Sequence, residues 1–255
     1  MKIICLIKQV PDTELQPRIK SDQSGIESDN IKYIINPYDE YGIEEAVRLK
    51  GRIPDSEITV ISLGEEKTKE RIRTALAMGC DKGVLIKIDS DLMLDPISIA
   101  KEIANYIKGA GYDVIFAGKK AVDDELSVVG ASVASLLDIP LVNAIRSFEL
   151  NSDLTKVTCK CEGDSGDEIV ETSLPALFTC EKGLNEPKYP SLPAIMKSKK
   201  KPIEEIGYSN LPSFGRIRKL ELPPERKPGL KIEGELGDQV KEVIRLLKEE
   251  IKVLD

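Results

Sequence analysis

The sequence predicts an α/β fold with a mainly parallel sheet, helices on both faces, antiparallel strands at one edge and a C-terminal arm. Short β-branched segments alternate with helical segments through the first half of the chain. The strand-like segments are continuous apolar runs, as expected for strands buried on both faces of a parallel sheet. A length of 255 residues accommodates one such domain with additions, or two small domains.

The first half of the chain supplies the parallel strands and their covering helices. The predicted strands are Ile3–Ile7, Glu57–Leu63, Val84–Ile88 and Val114–Ala117. The predicted helices are Pro37–Lys50, Glu66–Met78, Pro96–Lys108 and Asp124–Leu137. Parallel strands joined by helices present their carboxyl ends at one edge of the sheet, where open α/β sheets bind ligands. We therefore expect a ligand site at that edge.

The pattern changes after about Leu141. Three segments alternate polar and apolar residues, which predicts antiparallel strands at the sheet edge: Ala144–Leu150, Lys156–Glu162 and Glu168–Thr172. Asp and Ser within Gly163–Gly166 predict a hairpin turn. Leu174–Cys180 is apolar again and predicts one more buried strand, ending with Ala176–Cys180.

The C-terminal part of the chain is too polar and proline-rich to build a second core. We expect an α/β domain over residues 1–183, a loop over 184–204 and an arm over 205–255. A final helix from about Leu236 has an apolar face made of Val240, Val243, Ile244, Leu247 and Ile251. That face packs either on its own domain or on a partner; the periodicity alone fits both.

Composition excludes several function classes. The chain has no histidine, the commonest general base and metal ligand, and its residues form no nucleophile–base arrangement. The absence of Trp and the net charge of −7 argue against nucleic-acid binding. No apolar run is long enough to span a membrane, and Met1–Asp12 predicts a buried strand instead of a signal peptide. Five cysteines without a C-x-x-C motif predict reduced thiols in a cytoplasmic binding protein.

The segment Leu184–Ile203 predicts a docking loop, since four prolines interrupt any long helix or strand. Its apolar residues are Leu184, Tyr189, Leu192 and Ile195, and a basic run with Lys197, Lys199, Lys200 and Lys201 follows. An apolar tip beside positive charge suits a partner surface. The alternatives are that the apolar residues fold back onto the core and that the lysines form a solvated face.

Two strand–helix junctions predict a phosphate pocket. At Asn36–Asp39, an asparagine N-cap and a proline in the first turn predict a helix start. At Gly118–Gly130, a strand ends in glycine, a loop follows and a helix is expected to begin near Asp124. Such a junction directs backbone N–H groups and the helix dipole at one point, which favours an anion. Asp123, Asp124 and Glu125 are expected to cap the helix or face the nucleoside or solvent.

Four ordered motifs and the loop resemble one family. The motifs are VPD (Val10–Asp12), NPYDEYGIEEAVRLK (Asn36–Lys50), RTALAMGCD (Arg73–Asp81) and GKKAVDDELSVVG (Gly118–Gly130), and the loop reads LNEPKYPSLPAIMKSKKKPI. Together they closely resemble the electron transfer flavoprotein β subunit. The resemblance implies a Rossmann-like domain similar to adenine nucleotide α-hydrolases, with Leu192 at the family's partner-anchoring position. It also favours an arm that embraces an α subunit.

The resemblance further implies an electron carrier subunit with a structural AMP. The α subunit would carry FAD and shuttle electrons from a flavin dehydrogenase, such as an acyl-CoA dehydrogenase, to a quinone-linked oxidoreductase. The positions implied for AMP are Leu6, Asn36, Pro37, Tyr38, Asp39, Leu63, Asp123, Asp124, Glu125, Leu126, Ser127, Val128, Val129, Gly130, Ala131, Ser132, Val133 and Ala134.

One departure leaves the ligand open. Typical AMP-binding members read DDxNQTG, whereas this chain places Ser127, Val128 and Val129 before Gly130. Electron-bifurcating members, which hold a second FAD in this pocket and accept electrons from NADH, read DGDTAQVG and share only the last valine. Leu94–Pro96 and the loop favour the AMP pattern. An ATP-hydrolysing or nucleotide-sensing protein is a remote alternative, because KQVPDTE replaces a phosphate loop after the first strand.

Overall fold

A computed structural model of the chain describes residues 1–16, 18–27, 31–89, 94–163, 166–209, 211–215, 217–224 and 228–253. The strands are β1 Lys2–Leu6, β2 Gln9–Pro11, β3 Tyr33–Ile35, β4 Glu57–Gly64, β5 Lys82–Lys87, β6 Val114–Gly118, β7 Leu141–Leu150, β8 Lys156–Gly163, β9 Gly166–Ser173, β10 Ala176–Cys180 and β11 Ile203–Gly207. The α-helices are α1 Pro37–Arg52, α2 Lys69–Met78, α3 Pro96–Ala110, α4 Val129–Leu137, α5 Leu192–Ser198 and α6 Leu236–Glu249.

The described strands form one large sheet and one small one. The large sheet has the order β11-β5-β4-β1-β6-β10-β7-β8-β9, and β2 pairs with β3 separately. Within the large sheet of the described residues, all neighbours from β11 to β7 are parallel, and only β7–β8 and β8–β9 are antiparallel; the pair β2–β3 is antiparallel. The predicted α/β class, with a parallel sheet and antiparallel strands at one edge, is confirmed. Residues 164–165 of the predicted hairpin turn lie outside the described residues.

Two cores cover the faces of this sheet. Alternate residues of β1 enter opposite cores: Ile3 and Cys5 lie with α1 and α2, and Ile4 and Leu6 lie with α3 and α4. Because both faces are buried, β1 is apolar at nearly every position. All five cysteines are buried and free, as expected, and Cys159 and Cys161 share one face of β8.

A close contact between α1 and β6 fixes the start of α1 beside the ligand edge. A Cβ on Gly42 of α1 would lie 3.1 Å from Phe116 Cβ and 3.4 Å from Cys180 Sγ. That separation is tighter than ordinary van der Waals contact, so glycine lets the helix lie directly on β6 and β10. The first turn of α1 is thereby brought next to the carboxyl end of β6.

Three sequence predictions about elements were wrong. The helix expected from Asp124 begins only at Val129, because residues 122–124 form a turn and Glu125 and Ser127 have positive φ. The segment Leu184–Ile203 contains the helix α5 instead of being wholly irregular. Strand β11 was missed, and the sheet therefore continues to Gly207.

The final helix is present where it was expected. Helix α6 begins at Leu236 and has no buried residue, and the side chains of Val240, Val243 and Ile244 are all exposed. Within the described residues, no helix combines the length and the apolar character needed to cross a membrane.

Candidate functional site

A cavity of about 500 Å³ opens at the carboxyl ends of β1 and β6. The chain runs from β1 to β4 and β5 on one side, and then returns to place β6 on the other side. This reversal is the topological switch point at which open α/β sheets bind ligands. The volume lies in the range of small-molecule sites. A cavity of suitable size therefore lies at the edge where the sequence predicts a ligand site.

The cavity wall contains part of the predicted set. Ten predicted residues line it: Leu6, Asn36, Asp39, Leu63, Asp124, Leu126, Ser127, Val128, Val129 and Gly130. Eight others do not: Pro37, Tyr38, Asp123, Glu125, Ala131, Ser132, Val133 and Ala134. Val133 and Ala134 are buried in the core between α4 and the sheet. Because α4 begins at Val129, only its first residues reach the ligand edge.

Asn36 is a bridge between two loops and not a side-chain cap. It occupies the N-cap position of α1, but its side chain makes no capping hydrogen bond. Instead its Nδ2 donates to Asp39 Oδ1 and to the carbonyl of Lys120, both at 2.9 Å. Its Oδ1 accepts from the backbone N–H of Val122 at 3.1 Å. The asparagine therefore joins the start of α1 to the loop after β6, where it shapes the cavity wall.

Asp39 is a buried carboxyl group that ties three elements together. Its Oδ2 accepts from the Lys8 N–H at 2.7 Å, and its Oδ1 accepts from the Gly118 N–H at 3.0 Å as well as from Asn36. Burial raises the pKa of Asp39 to about 7, against the opposing effect of these hydrogen bonds and of the Lys8 charge. The group is therefore close to its titration point at neutral pH.

Gly118 is required by the packing of these side chains. A Cβ at this position would lie 2.2 Å from Asp39 Oδ1, 2.8 Å from Tyr38 Cβ and 3.0 Å from Asn36 Nδ2. No side chain fits there without displacing the first turn of α1. The glycine that ends β6 thus allows Asp39 to accept from the Gly118 N–H and Asn36 to bind the loop that follows β6.

The acidic residues of the loop pair with lysines and do not cap a helix. Lys8 Nζ lies 2.8 Å from both Asp123 Oδ1 and Asp124 Oδ2, and Lys120 Nζ lies 2.6 Å from Glu125 Oε1. Burial lowers the pKa of Lys8, but the two carboxylates outweigh burial, so its pKa lies above the ordinary value. These ion pairs neutralise the lysines, which leaves backbone donors as the positive part of the site.

The start of α4 supplies those donors. The first N–H groups of an α-helix have no intrahelical acceptor, and here they belong to Val129, Gly130 and Ala131. Val128, at the N-cap position, offers no side-chain acceptor. Gly130 also permits close packing, because a Cβ there would lie 3.2 Å from Thr179 Cγ2. Val129 and Gly130 line the cavity, and their N–H groups have no acceptor in the part of the chain that the structure describes, which suits an anionic ligand group.

Further residues of the cavity wall lie outside the set of predicted ligand contacts. The apolar ones are Ile7, Leu94, Pro96, Ile99, Ile103, Ala117, Ala121 and Ile217, and the polar or small ones are Lys8, Asp95, Gly118, Lys119, Lys120 and Gly215. Of these, residues 118–121 belong to the predicted junction Gly118–Gly130. Asp95 N-caps α3 through Ile97 and Ser98 and also accepts from the Phe214 N–H at 2.6 Å. That bond holds residues 213–215 over the cavity. The Asp95-Pro96 pair in the sequence indicates a helix start, but nothing in the sequence indicates the hydrogen bond between Asp95 and Phe214.

The predicted docking loop separates into a buried base and an exposed tip. Leu184 is buried in the core with 9% exposure, so its expected exposure was wrong. Tyr189 and Leu192 are exposed by 92% and 78%, and Ile195 and Met196 of α5 are exposed as well. We call Tyr189, Leu192, Ile195 and Met196 the apolar tip. The alternative that these residues fold back onto the core is not realised for the tip.

The lysines beside the apolar tip also differ from one another in exposure and in contacts. Lys197, Lys199 and Lys200 are exposed. Lys201 instead donates from Nζ to the carbonyl oxygens of Leu76 at 2.9 Å and Cys80 at 2.6 Å. Its expected role as a free surface charge is therefore wrong, and it holds the end of α2.

Comparison with known proteins agrees with the motifs. Residues 25–210 match the family model described as electron transfer flavoprotein domain. The chain is 41% identical to the electron transfer flavoprotein subunit beta of Bacillus subtilis over 100% of both chains. It is 38% identical to the subunit of the same name from Syntrophomonas wolfei, over 99% of this chain and 98% of the relative. The Mus musculus subunit beta is 37% identical, over 96% of this chain and 99% of the relative.

Proposed function

This chain belongs to the electron transfer flavoprotein β-subunit family, and on that premise we propose that it forms a heterodimer with an α subunit that carries FAD. The heterodimer accepts electrons from a flavin dehydrogenase of the acyl-CoA dehydrogenase type and delivers them to a quinone-linked oxidoreductase. This chain contributes binding surfaces to the shuttle, and the electrons pass through the flavin of the α subunit.

We assign the cavity at the switch point to a structural AMP. The observation that carries this assignment is the pairing of an apolar wall, around Ile99 and Ile103, with N–H donors at the start of α4. An apolar wall suits a purine ring, and the donors suit a phosphate. Ser127, Val128 and Val129 replace the Asn, Gln and Thr of typical members, so the backbone donors carry more of the recognition here.

The lysines beside the cavity fit this assignment only in part. Lys8 and Lys120 are engaged by Asp123, Asp124 and Glu125, and Lys119 Nζ lies 2.5 Å from Glu181 Oε2. A ligand with several phosphates would need more free positive charge than these ion pairs leave. A monophosphate needs less, which favours AMP over a larger anionic nucleotide.

We propose that the apolar tip docks the dehydrogenase, with Leu192 as its anchor. Leu192 is exposed by 78% together with the other residues of the apolar tip, and a group of exposed apolar side chains is typical of a partner-binding surface. A small contact of this kind lets the shuttle dissociate quickly, because affinity differences lie mostly in the dissociation rate. The exposed face of α6 is assigned to the α subunit, since nothing within the described part of the chain covers it.

The proposed function is tested by electron flow through the reconstituted heterodimer. Wild-type protein is mixed anaerobically with an acyl-CoA dehydrogenase and its acyl-CoA substrate, and the flavin absorbance of the α subunit is followed. We expect the flavin to be reduced only when dehydrogenase and substrate are both present. Rapid reduction by NADH without a dehydrogenase would contradict this function and would favour the bifurcating alternative with a second FAD.

A further inference from the structure

Helix α5 carries most of the apolar tip but is not held in place by burial. It has only seven residues, and of these only Ser198 is buried. Leu192, Ile195 and Met196 face outward, so the apolar side chains that usually fix a helix on its domain are unused. A helix this short does not persist on its own in water. Another interaction must therefore hold α5 on the domain.

That interaction is a reciprocal pair of contacts, in which a cationic side chain from the region of each helix binds backbone carbonyl groups near the end of the other. Arg73, in the middle of α2, donates from Nη1 to the carbonyl oxygens of Ser198 at 2.7 Å and Lys201 at 2.6 Å. Lys201, just after α5, donates from Nζ to the carbonyl oxygens of Leu76 and Cys80. Each cation thus binds one carbonyl in the last turn of the other helix and one just after that helix. Ser198 and Leu76 belong to the last turns of α5 and α2, and Lys201 and Cys80 follow them. We call these four hydrogen bonds the cross-cap.

The physics of helix ends explains why the cross-cap is suited to this task. The last carbonyl groups of a helix have no intrahelical donor, and they carry the negative end of the helix dipole. A cation that reaches them satisfies the acceptors and interacts favourably with the dipole. Within the described residues, neither Arg73 nor Lys201 forms an ion pair with a carboxylate. Both side chains are therefore committed to the backbone contacts.

We propose that Arg73 and Lys201 are positioning residues for dehydrogenase docking, an inference that rests on the proposed function of the apolar tip. They fix the direction of α5, so that Leu192 reaches its pocket without a prior ordering step. A pre-ordered anchor avoids the conformational entropy that a mobile segment loses on binding. Loss of the cross-cap leaves the anchor present but mobile, which weakens docking without altering electron transfer in the docked complex.

The test measures dehydrogenase-dependent electron transfer at varied heterodimer concentration. Arg73→Gln removes the charge and one half of the cross-cap, and we expect KM for the heterodimer to rise about tenfold with kcat unchanged. Lys201→Met tests the other half independently, with the same expectation. Arg73→Lys keeps a cation in place and should restore most of the lost affinity. The melting temperature and nucleotide content are recorded for every variant.

Two further variants separate charge and anchor effects from positioning. Arg71→Gln is the matched control, since Arg71 lies on the same helix but donates to the Tyr33 carbonyl, away from α5. It should leave KM unchanged. Leu192→Ala reports on the proposed function itself. In the double variant Arg73→Gln/Leu192→Ala, KM should equal that of Leu192→Ala, because positioning has no value without the anchor.

The outcomes distinguish the two proposals. If Leu192→Ala raises KM while Arg73→Gln and Lys201→Met leave it within twofold of wild type, the positioning role is wrong and docking stands. If Leu192→Ala itself leaves KM unchanged, the docking function is wrong. A rise in KM for Arg71→Gln equal to that for Arg73→Gln would mean that general surface charge is responsible, which also contradicts the positioning role.

Discussion

The cavity and the apolar tip differ in how their residues are held: the cavity is held by a buried hydrogen-bond network, and the tip is exposed on the surface. The cavity lies inside the fold, where Asp39 of α1 binds Asn36, the N–H of Gly118 at the end of β6 and the N–H of Lys8 just after β1. The apolar tip lies outside the fold on a helix of seven residues that keeps Leu192 in solvent. The cavity is held by many mutually dependent contacts, whereas the tip depends on a few hydrogen bonds at its base.

This difference indicates how each region responds to change. A substitution in the cavity alters several elements at once, because Asp39 alone joins α1 to the end of β6 and to the segment just after β1. A substitution in the tip alters one surface and leaves the core intact. Cavity variants should therefore change stability and nucleotide content together, and tip variants should change partner binding alone.

The largest effect is expected for Gly118→Ala. The added Cβ overlaps Asp39 Oδ1 and Tyr38 Cβ, so α1 must move away from β6. We expect a loss of about 3 kcal/mol in the free energy of unfolding, together with loss of the nucleotide. Urea denaturation and nucleotide analysis measure both. Gly109→Ala in α3 is the control, since a Cβ there meets nothing within 4 Å. If Gly118→Ala kept its nucleotide and its stability, the idea that the same contacts support both the fold and the cavity would be contradicted.

Leu192→Ala tests the apolar tip in the same way as Gly118→Ala tests the cavity. Loss of the anchor should raise KM for the heterodimer about thirtyfold, which corresponds to ~2 kcal/mol of docking free energy. Stability and nucleotide content should match wild type. Steady-state transfer from an acyl-CoA dehydrogenase measures the change, and Ile169→Ala, also exposed but on the edge strand β9, is the matched control. Normal KM in Leu192→Ala would remove the basis for assigning this surface to docking.

Asp39 gives the cavity a pH dependence that the tip lacks. Its folded-state pKa of about 7 lies above the ordinary value of 3.8, so the folded protein binds this proton more tightly than the unfolded chain. Its contribution to stability is complete below about pH 4 and is lost as the pH rises through 7, at up to about 1.4 kcal/mol per pH unit.

The variant Asp39→Asn isolates this contribution. Between pH 5.5 and 7.5, the urea midpoint of wild type should fall relative to that of Asp39→Asn, whatever the absolute stability of the variant. Parallel pH profiles for the two proteins would show that Asp39 does not titrate in this range.

Ser127→Ala should have the smallest effect. Ser127 lines the cavity at a positive φ beside the start of α4, and its hydroxyl is one of few side-chain donors there. Losing one hydrogen bond to the ligand should weaken AMP retention about fivefold, or ~1 kcal/mol. Dialysis followed by nucleotide quantification measures retention, and Ser135→Ala, at an exposed position within α4, is the control. Unchanged AMP stoichiometry would place the ligand away from Ser127.

Sequence reasoning predicted the sheet better than the site. The apolar runs of β1, β4, β5 and β6 were readable because both of their faces are buried. The start of α4 was misplaced, since residues 123–125 have the composition of a helix start, but Asp123 and Asp124 pair with Lys8, more than a hundred residues earlier in the sequence. Asn36 was likewise interpreted as a local cap, although its partners belong to the loop after β6. Local patterns do not report such long-range pairs.

The same limit applies to the docking loop. Leu184 and Leu192 are chemically identical and eight residues apart, yet the first is buried and the second is exposed. Lys201 ends a run of lysines and alone among them caps α2. Composition predicted a surface loop, but which residues point outward depends on how α2 and α5 pack. The resemblance of the loop to its family, by contrast, singles out Leu192 as the anchor, and that docking role stays a prediction.

The most direct test of the central assignment is the nucleotide content of the heterodimer. The chain is co-expressed with its α subunit, the purified complex is denatured, and the released nucleotides are separated and quantified by chromatography. One FAD and one AMP per heterodimer is the predicted result, with AMP lost in Gly118→Ala. Two FAD and no AMP would contradict the account, because the cavity between β1 and β6 would then hold a redox flavin.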